Sequence, residues 1–117
     1  MSYDLVFSAI AQQQLRDLAA KQPEVALAAL KLARALRDDP YLGDEMRARP
    51  RAEGLSDCRR IRFDREGWRG KPRYRLVYRN EPSDGAPHIV AVLSVDVRER
   101  LRAYRAAVRA RARRREQ

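Results

Sequence analysis

The stretch RYRLVYR, residues 73–79, sets Arg73, Arg75, Val77 and Arg79 on one side of an extended chain and Tyr74, Leu76 and Tyr78 on the other. Three guanidiniums on one face repel one another unless an anion meets them. Arginine suits a phosphate, which it grips through two parallel hydrogen bonds. CRRIRF, at 58–63, repeats the pattern, with Ile61 and Phe63 pointing one way and Arg60 and Arg62 the other. Arg98 follows a third apolar segment, and Tyr104 comes six residues later. If these strands pair with their apolar faces on helices, Arg60, Arg62, Arg75, Arg98 and Tyr104 converge on one basin suited to a phosphate.

The charge distribution agrees. Residues 1–57 carry 8 Lys/Arg against 9 Asp/Glu, whereas residues 58–117 carry 18 against 7. A basic surface confined to half of a small domain is an electrostatic footprint for a polyanion, nucleic acid first and acidic protein segments second. Because 23 of the 26 basic residues are arginine, codon bias can inflate the total, but it does not explain the segregation.

The elements that must position these residues can be read in order. YDLVF (3–7) is a short strand, and Ser8 caps a helix whose stripe is Ile10, Leu15, Leu18 and Ala19. Pro23 opens a second helix over 23–38, which DDP closes, so an antiparallel helical hairpin is expected. Residues 40–57 show no sustained period and read as a long connection. Strands follow at 58–63, 73–79 and 88–95, the last two joined through an Asp84-Gly85 turn. A third helix spans 97–114, with Val97, Leu101, Tyr104 and Val108 as its stripe, and the basic tail from about residue 110 to 117 is expected to fray. The result is one α+β domain over 1–117, of order βααβββα, with an antiparallel sheet, a helical hairpin on one face and a C-terminal helix. No apolar run reaches membrane-spanning length, and the N-terminus lacks the basic region of a signal peptide. Cys58 stands alone, which rules out an intrachain disulfide and suits a reducing cytoplasm. No metal or cofactor motif is present.

LSDCRRIRF, YRLVYR and VLSVDVRERLRAY resemble, in order and spacing, the corresponding segments of RelE toxins of the RelE/ParE superfamily. The likeness follows the element order along nearly the whole chain and is strongest over 55–63, 74–79 and 93–108. It implies a RelE-like fold and the toxin of a type II toxin–antitoxin system. Such a toxin is a ribosome-dependent mRNA interferase that cuts in the ribosomal A site and is held inactive by a cognate antitoxin. Position by position, the resemblance makes Arg60, Arg62, Arg75, Arg98 and Tyr104 the catalytic set. Two departures stand out: arginines occupy 60 and 62 where the RelE motif has lysines, and the loop 64–72 is longer, adding Trp68, Arg69 and Lys71.

Metal-independent RNA cleavage turns the ribose 2′-hydroxyl on its own adjacent phosphate. It needs a base, positive charge for the phosphorane and help for the leaving 5′-oxygen. Arginine is too firmly protonated to serve as an easy base. Tyr104 is therefore the candidate base, since guanidiniums around a phenol favour the phenolate. Arg75 would hold the scissile phosphate, Arg98 the developing charge or leaving oxygen, and Arg60 and Arg62 the flanking phosphates. Arg73, Arg79, Lys71, Arg69 and Trp68 are candidate RNA contacts, with Trp68 either stacking on a base or packing on its own hairpin. A core role for Tyr104 competes, because it lies on the apolar stripe of its helix. His88, the lone histidine, lies outside the motifs.

The expected partners are a small acidic antitoxin, the ribosome with its RNA, mRNA, and operator DNA only in company with the antitoxin. No membrane is expected, and the cytoplasm is the expected location. Two alternatives remain: a ParE-like inhibitor of DNA gyrase, and a degenerate toxin that binds nucleic acid without cutting it.

Overall fold

The structure, a computed structural model, describes residues 2–46, 54–99 and 102–115. The middle of the 40–57 connection, Leu101 of the expected helical stripe and the last two residues lie outside these. The elements are β1 (Asp4–Phe7), α1 (Ala9–Lys21), α2 (Pro23–Leu36), β2 (Asp44–Glu45), β3 (Cys58–Phe63), β4 (Tyr74–Glu81), β5 (Ile89–Val97) and α3 (Arg102–Arg115). They form one five-stranded sheet in the order β1-β5-β4-β3-β2.

The expected α+β order holds, with one addition and one correction. The long connection contributes β2, whose two residues pair antiparallel with Arg59 and Arg60. The sheet is antiparallel only from β2 to β5, because β1 lies parallel to β5. The helical hairpin that follows β1 crosses over the sheet, and long crossovers of this kind are what permit parallel pairing.

Local signals explain the first helices. The Ser8 hydroxyl accepts from the Ala11 amide at 2.9 Å, capping α1, and donates to the Leu93 carbonyl at 2.7 Å, tying the cap to the sheet. Pro23 opens α2, where a missing backbone donor costs nothing. Ala11, Val25, Ala29, Ala33 and Leu36 then pack on Leu76, Tyr78, Val90 and Val92 to form the main core.

The opposite face of the sheet carries a second, smaller core beneath α3, built from Met46, Leu55, Cys58, Val77, Leu93 and Tyr104 with Ala107 and Ala110. A β-bulge makes this possible. Val77 pairs with Ser94 and Tyr78 with Val92, so Leu93 is the extra residue. The bulge lets Leu93 join the core under α3 while its neighbours Val92 and Val95 stay in the main core.

α3 begins later than expected, at Arg102, and runs to Arg115. The described part of the basic end, to Arg115, is helical, with Arg111 and Arg114 tied to carboxylates at the sheet, while 116–117 lie outside the described residues. Among the described residues, no helix is long and apolar enough to cross a membrane.

Candidate active site

Arg60 sits in β3 directly across from Val77 of β4, on the sheet face that α3 covers. Alternation directs its side chain towards α3, where its Nη1 donates to the Tyr104 hydroxyl at 2.9 Å. Arg75 lies on the same face of β4, with Arg62 opposite it on β3 and Asp96 opposite it on β5. Its Nη1 donates to the backbone carbonyls of Pro72 at 3.0 Å and Tyr74 at 2.9 Å. Burial pushes the Arg75 guanidinium below the ordinary arginine value. The Tyr104 hydroxyl opposes that shift, and the nearby charges of Arg60 and Arg98 add to it.

These three side chains are withdrawn from water, with Tyr104 8%, Arg60 6% and Arg75 5% exposed. The Nε atoms of both arginines are buried with no hydrogen-bond partner. Among the described residues, neither guanidinium has a carboxylate. Asp96, the one acid across the ladder from Arg75, instead accepts from Gln14 and from the Val97 amide and pairs with Arg102. A buried cation without a counterion is costly, and two side by side more so. An anion of matching shape would relieve that cost.

The other expected catalytic residues flank this group. Arg62 is exposed on β3 beside Arg75. Arg98 lies just past β5 with its amide bonded to the Arg73 carbonyl at 2.7 Å, and its exposed side chain is close enough to depress Arg75. Arg60, Arg62, Arg75, Arg98 and Tyr104 therefore occupy one region, with three buried and two at its edge.

The candidate RNA contacts separate from that region. Arg73 forms two 2.9 Å hydrogen bonds with Asp64, whose carboxyl the Arg73 bonds hold down to about 2 despite burial. The Arg73 guanidinium also lies 3.7 Å from the centroid of Trp68 and covers one face of the indole. Trp68 Nε1 donates to the Lys71 carbonyl at 3.3 Å, so the tryptophan packs on its own loop. Arg69 and Lys71 are exposed there. Arg79 is engaged by Asp57 at 2.8 Å and Glu81 at 3.3 Å. Of the three arginines of RYRLVYR, the outer two carry their own carboxylates and only Arg75 awaits an anion.

Cys58 supplies no nucleophile, since burial and the neighbouring Asp57 push its thiol up to about 12. No group of three or more His, Cys, Asp or Glu side chains that could hold a metal occurs among the described residues. Sequence reasoning missed what anchors α3: the Ser94 hydroxyl, which donates to the Ala103 carbonyl at 2.5 Å, and the carboxylates of Asp57 and Glu81. An isolated serine or acid in a loop or strand end gives no periodic signal that would have exposed them.

Comparison with known proteins places the fold and the family. The chain is similar to a mutant of the Escherichia coli toxin RelE in the free state, with 26% identity and a TM-score of 0.60 over 93% of this chain and 97% of that one. It is also similar to the toxin–antitoxin complex RelBE2 from Mycobacterium tuberculosis, with 26% identity and a TM-score of 0.58 over 84% of this chain and 100% of that one. No curated protein matches it. The family model described as the ParE toxin of type II toxin–antitoxin systems matches residues 5–111, so the chain belongs to this toxin family of the RelE/ParE superfamily.

Proposed function

We propose that this toxin is a ribosome-dependent, metal-independent mRNA interferase of the RelE kind, acting in the cytoplasm on mRNA in the ribosomal A site. The observation that carries the reading is the buried pair Arg60 and Arg75, which meet at the Tyr104 hydroxyl and have no carboxylate partner among the described residues. Arg75 takes the non-bridging oxygens of the scissile phosphate. The Tyr104 oxygen, already in an acceptor role towards Arg60, acts as the phenolate: it receives the proton of the attacking 2′-hydroxyl and is left as the neutral phenol. As the 2′-oxygen bonds to phosphorus, negative charge gathers on the phosphorane beside Arg75 and Arg98, the interaction that lowers the barrier. The bond to the 5′-oxygen then breaks, and that oxygen, met by Arg98, takes its proton from solvent. Arg62 and Arg60 hold the flanking phosphates. The set contains one weak base, so the ribosome is needed to orient the strand. Similarity to a toxin–antitoxin complex supports an antitoxin as partner; ribosome, mRNA and, with the antitoxin, operator DNA complete the proposed set.

A second reading is inhibition of DNA gyrase, favoured by the ParE description of the matching family model. One experiment separates them. Purified toxin is added to translating ribosomes and new mRNA 5′ ends are mapped, beside Tyr104→Phe and Arg75→Ala; gyrase supercoiling is assayed in parallel. A-site cuts that vanish in both variants support the interferase. Intact mRNA with blocked supercoiling would replace it with the gyrase reading.

A further inference from the structure

Beyond the groups near the phosphate, we infer that Asp57, Glu81, Arg111 and Arg114 are positioning residues, which clamp α3 so that Tyr104 stays seated on Arg60. The inference rests on the interferase reading for its catalytic consequence, but the clamp itself is a matter of geometry.

The chain of contacts runs across the sheet. Arg79 of β4 stands between two carboxylates, 2.8 Å from Asp57 and 3.3 Å from Glu81. Each carboxylate is shared with α3. Arg111 Nη2 reaches the same Asp57 oxygen at 2.8 Å, and Arg114 Nε reaches Glu81 at 2.8 Å while its Nη2 takes the other oxygen. Arg111 also donates to the Gly54 carbonyl. Burial pushes both carboxyls up, yet their arginine partners leave each below the usual carboxylate range. A bidentate, shared network of this kind holds geometry where isolated surface pairs do not.

α3 needs such a clamp because its buried side is mostly methyl groups. Ala103, Ala106, Ala107 and Ala110 are buried, Ala107 and Ala110 in the core under the helix, and Tyr104 is the one large side chain among the described buried residues of the helix. Small, uniform surfaces specify orientation poorly. At the first turn, among the described residues, the Ser94 bond, an Arg102–Asp96 pair and the Tyr104–Arg60 contact itself hold the helix, all close to one end, so the far end needs its own restraint against rolling about the axis. Arg111 follows Tyr104 by seven residues, which puts it on the same stripe about two turns further on. A roll of 15° would shift a phenol oxygen ~8 Å off the axis by about 2 Å. That is enough to lose the Arg60 contact, and misplacement of about 1 Å alone can cost ~100-fold in rate.

The test uses the full-length double variant Arg111→Gln/Arg114→Gln, the single variant Glu81→Gln, and Arg111→Lys/Arg114→Lys as the charge-keeping control. Hydrogen exchange over residues 102–110 and single-turnover mRNA cleavage on ribosomes are measured together, with circular dichroism reporting the fold. The double variant should exchange faster over 102–110 and cleave about tenfold more slowly or worse at saturating ribosomes. Its half-saturating ribosome concentration should stay unchanged, and the lysine control should recover part of both effects. If the double variant does not fold, Glu81→Gln carries the same expectations in smaller measure. Unchanged exchange and rate in a folded variant would overturn the clamp. Should the wild type itself cut nothing, the interferase reading fails, and exchange alone decides whether the clamp exists.

Discussion

The Arg60 guanidinium on β3 donates to the Tyr104 hydroxyl on α3 at 2.9 Å, a buried contact between residues forty-four apart in the chain. The tyrosine belongs to the core under α3 and its hydroxyl also touches the charged group, so a core position is compatible with the proposed catalytic role. Its ring packs among apolar neighbours while its oxygen takes a proton donor from the strand. Substitution of this one side chain should therefore register in both stability and cleavage.

Tyr104→Phe keeps the ring and removes the oxygen, leaving Arg60 without its buried acceptor. Losing a partner in that way costs ~1–3 kcal/mol, so a urea titration should show a lower midpoint with an unchanged slope. Cleavage on ribosomes should fall ~100-fold or more, the usual worth of a positioned base.

Arg75→Met should have the opposite effect on stability. It removes a buried cation whose hydrogen-bond partners are backbone carbonyls and a phenol and whose charged neighbours Arg60 and Arg98 repel it, and exchanging such a charge for an apolar chain is expected to stabilise by ~1–4 kcal/mol. Cleavage should nevertheless disappear. Arg79→Met, four residues along the same strand, should destabilise, because it leaves Asp57 and Glu81 without a shared partner. Thermal melts of the two variants, run side by side, check the contrast in sign.

The pH dependence of the 64–72 loop follows from Asp64. Its carboxyl lies at about 2 in the folded chain against an ordinary 3.8, through the Arg73 hydrogen bonds. A carboxyl lowered by folding contributes stability above the unfolded value and loses that contribution as pH falls towards the folded one. Trp68 is the sole tryptophan and lies against Arg73, so its fluorescence should change as pH drops from about 4 towards 2. Asp64→Asn should already show the acid-form signal at neutral pH and lose the transition.

Gly43 is held where no side chain fits. A Cβ there would lie 2.7 Å from Tyr78 Cε1 and 2.8 Å from the Arg60 carbonyl oxygen. The Gly43 amide also donates to the Tyr78 hydroxyl at 2.9 Å, and that hydroxyl donates to the Pro40 carbonyl at 2.8 Å. Gly43→Ala should destabilise by ~1–3 kcal/mol, the common cost of overpacking. Denaturant unfolding checks it, and because Arg60 is next to the clash, cleavage should fall as well.

The order of the large elements was legible because each carries a period or a stop signal of its own. Ser8 and Pro23 mark helix starts, and the alternation in 58–63 and 74–79 separates apolar from charged faces. The bulge at Leu93 was not legible, since an apolar run such as VAVLSV reads alike whichever face each residue takes. The parallel seat of β1 depends on the crossover of α1 and α2, and no local residue encodes it. The persistence of α3 to Arg115 likewise escaped, because its end is held by carboxylates at Asp57 and Glu81, far away in the chain.

The sequence by itself determined that a strand face of arginines, followed by Arg98 and Tyr104 at the start of a helix, would lie on a sheet backed by a helical hairpin. That much depends on alternation and helical spacing, which are properties of neighbours along the chain. Only the tertiary structure decided which arginines are available to an anion. Arg73 and Arg79 are neutralised by Asp64, Asp57 and Glu81, whereas Arg60 and Arg75 are buried against a phenol and, among the described residues, pair with no carboxylate. Whether a charge is spent or waiting depends on what folding places within about 4 Å of it, and distance in space at that scale is not written in sequence spacing.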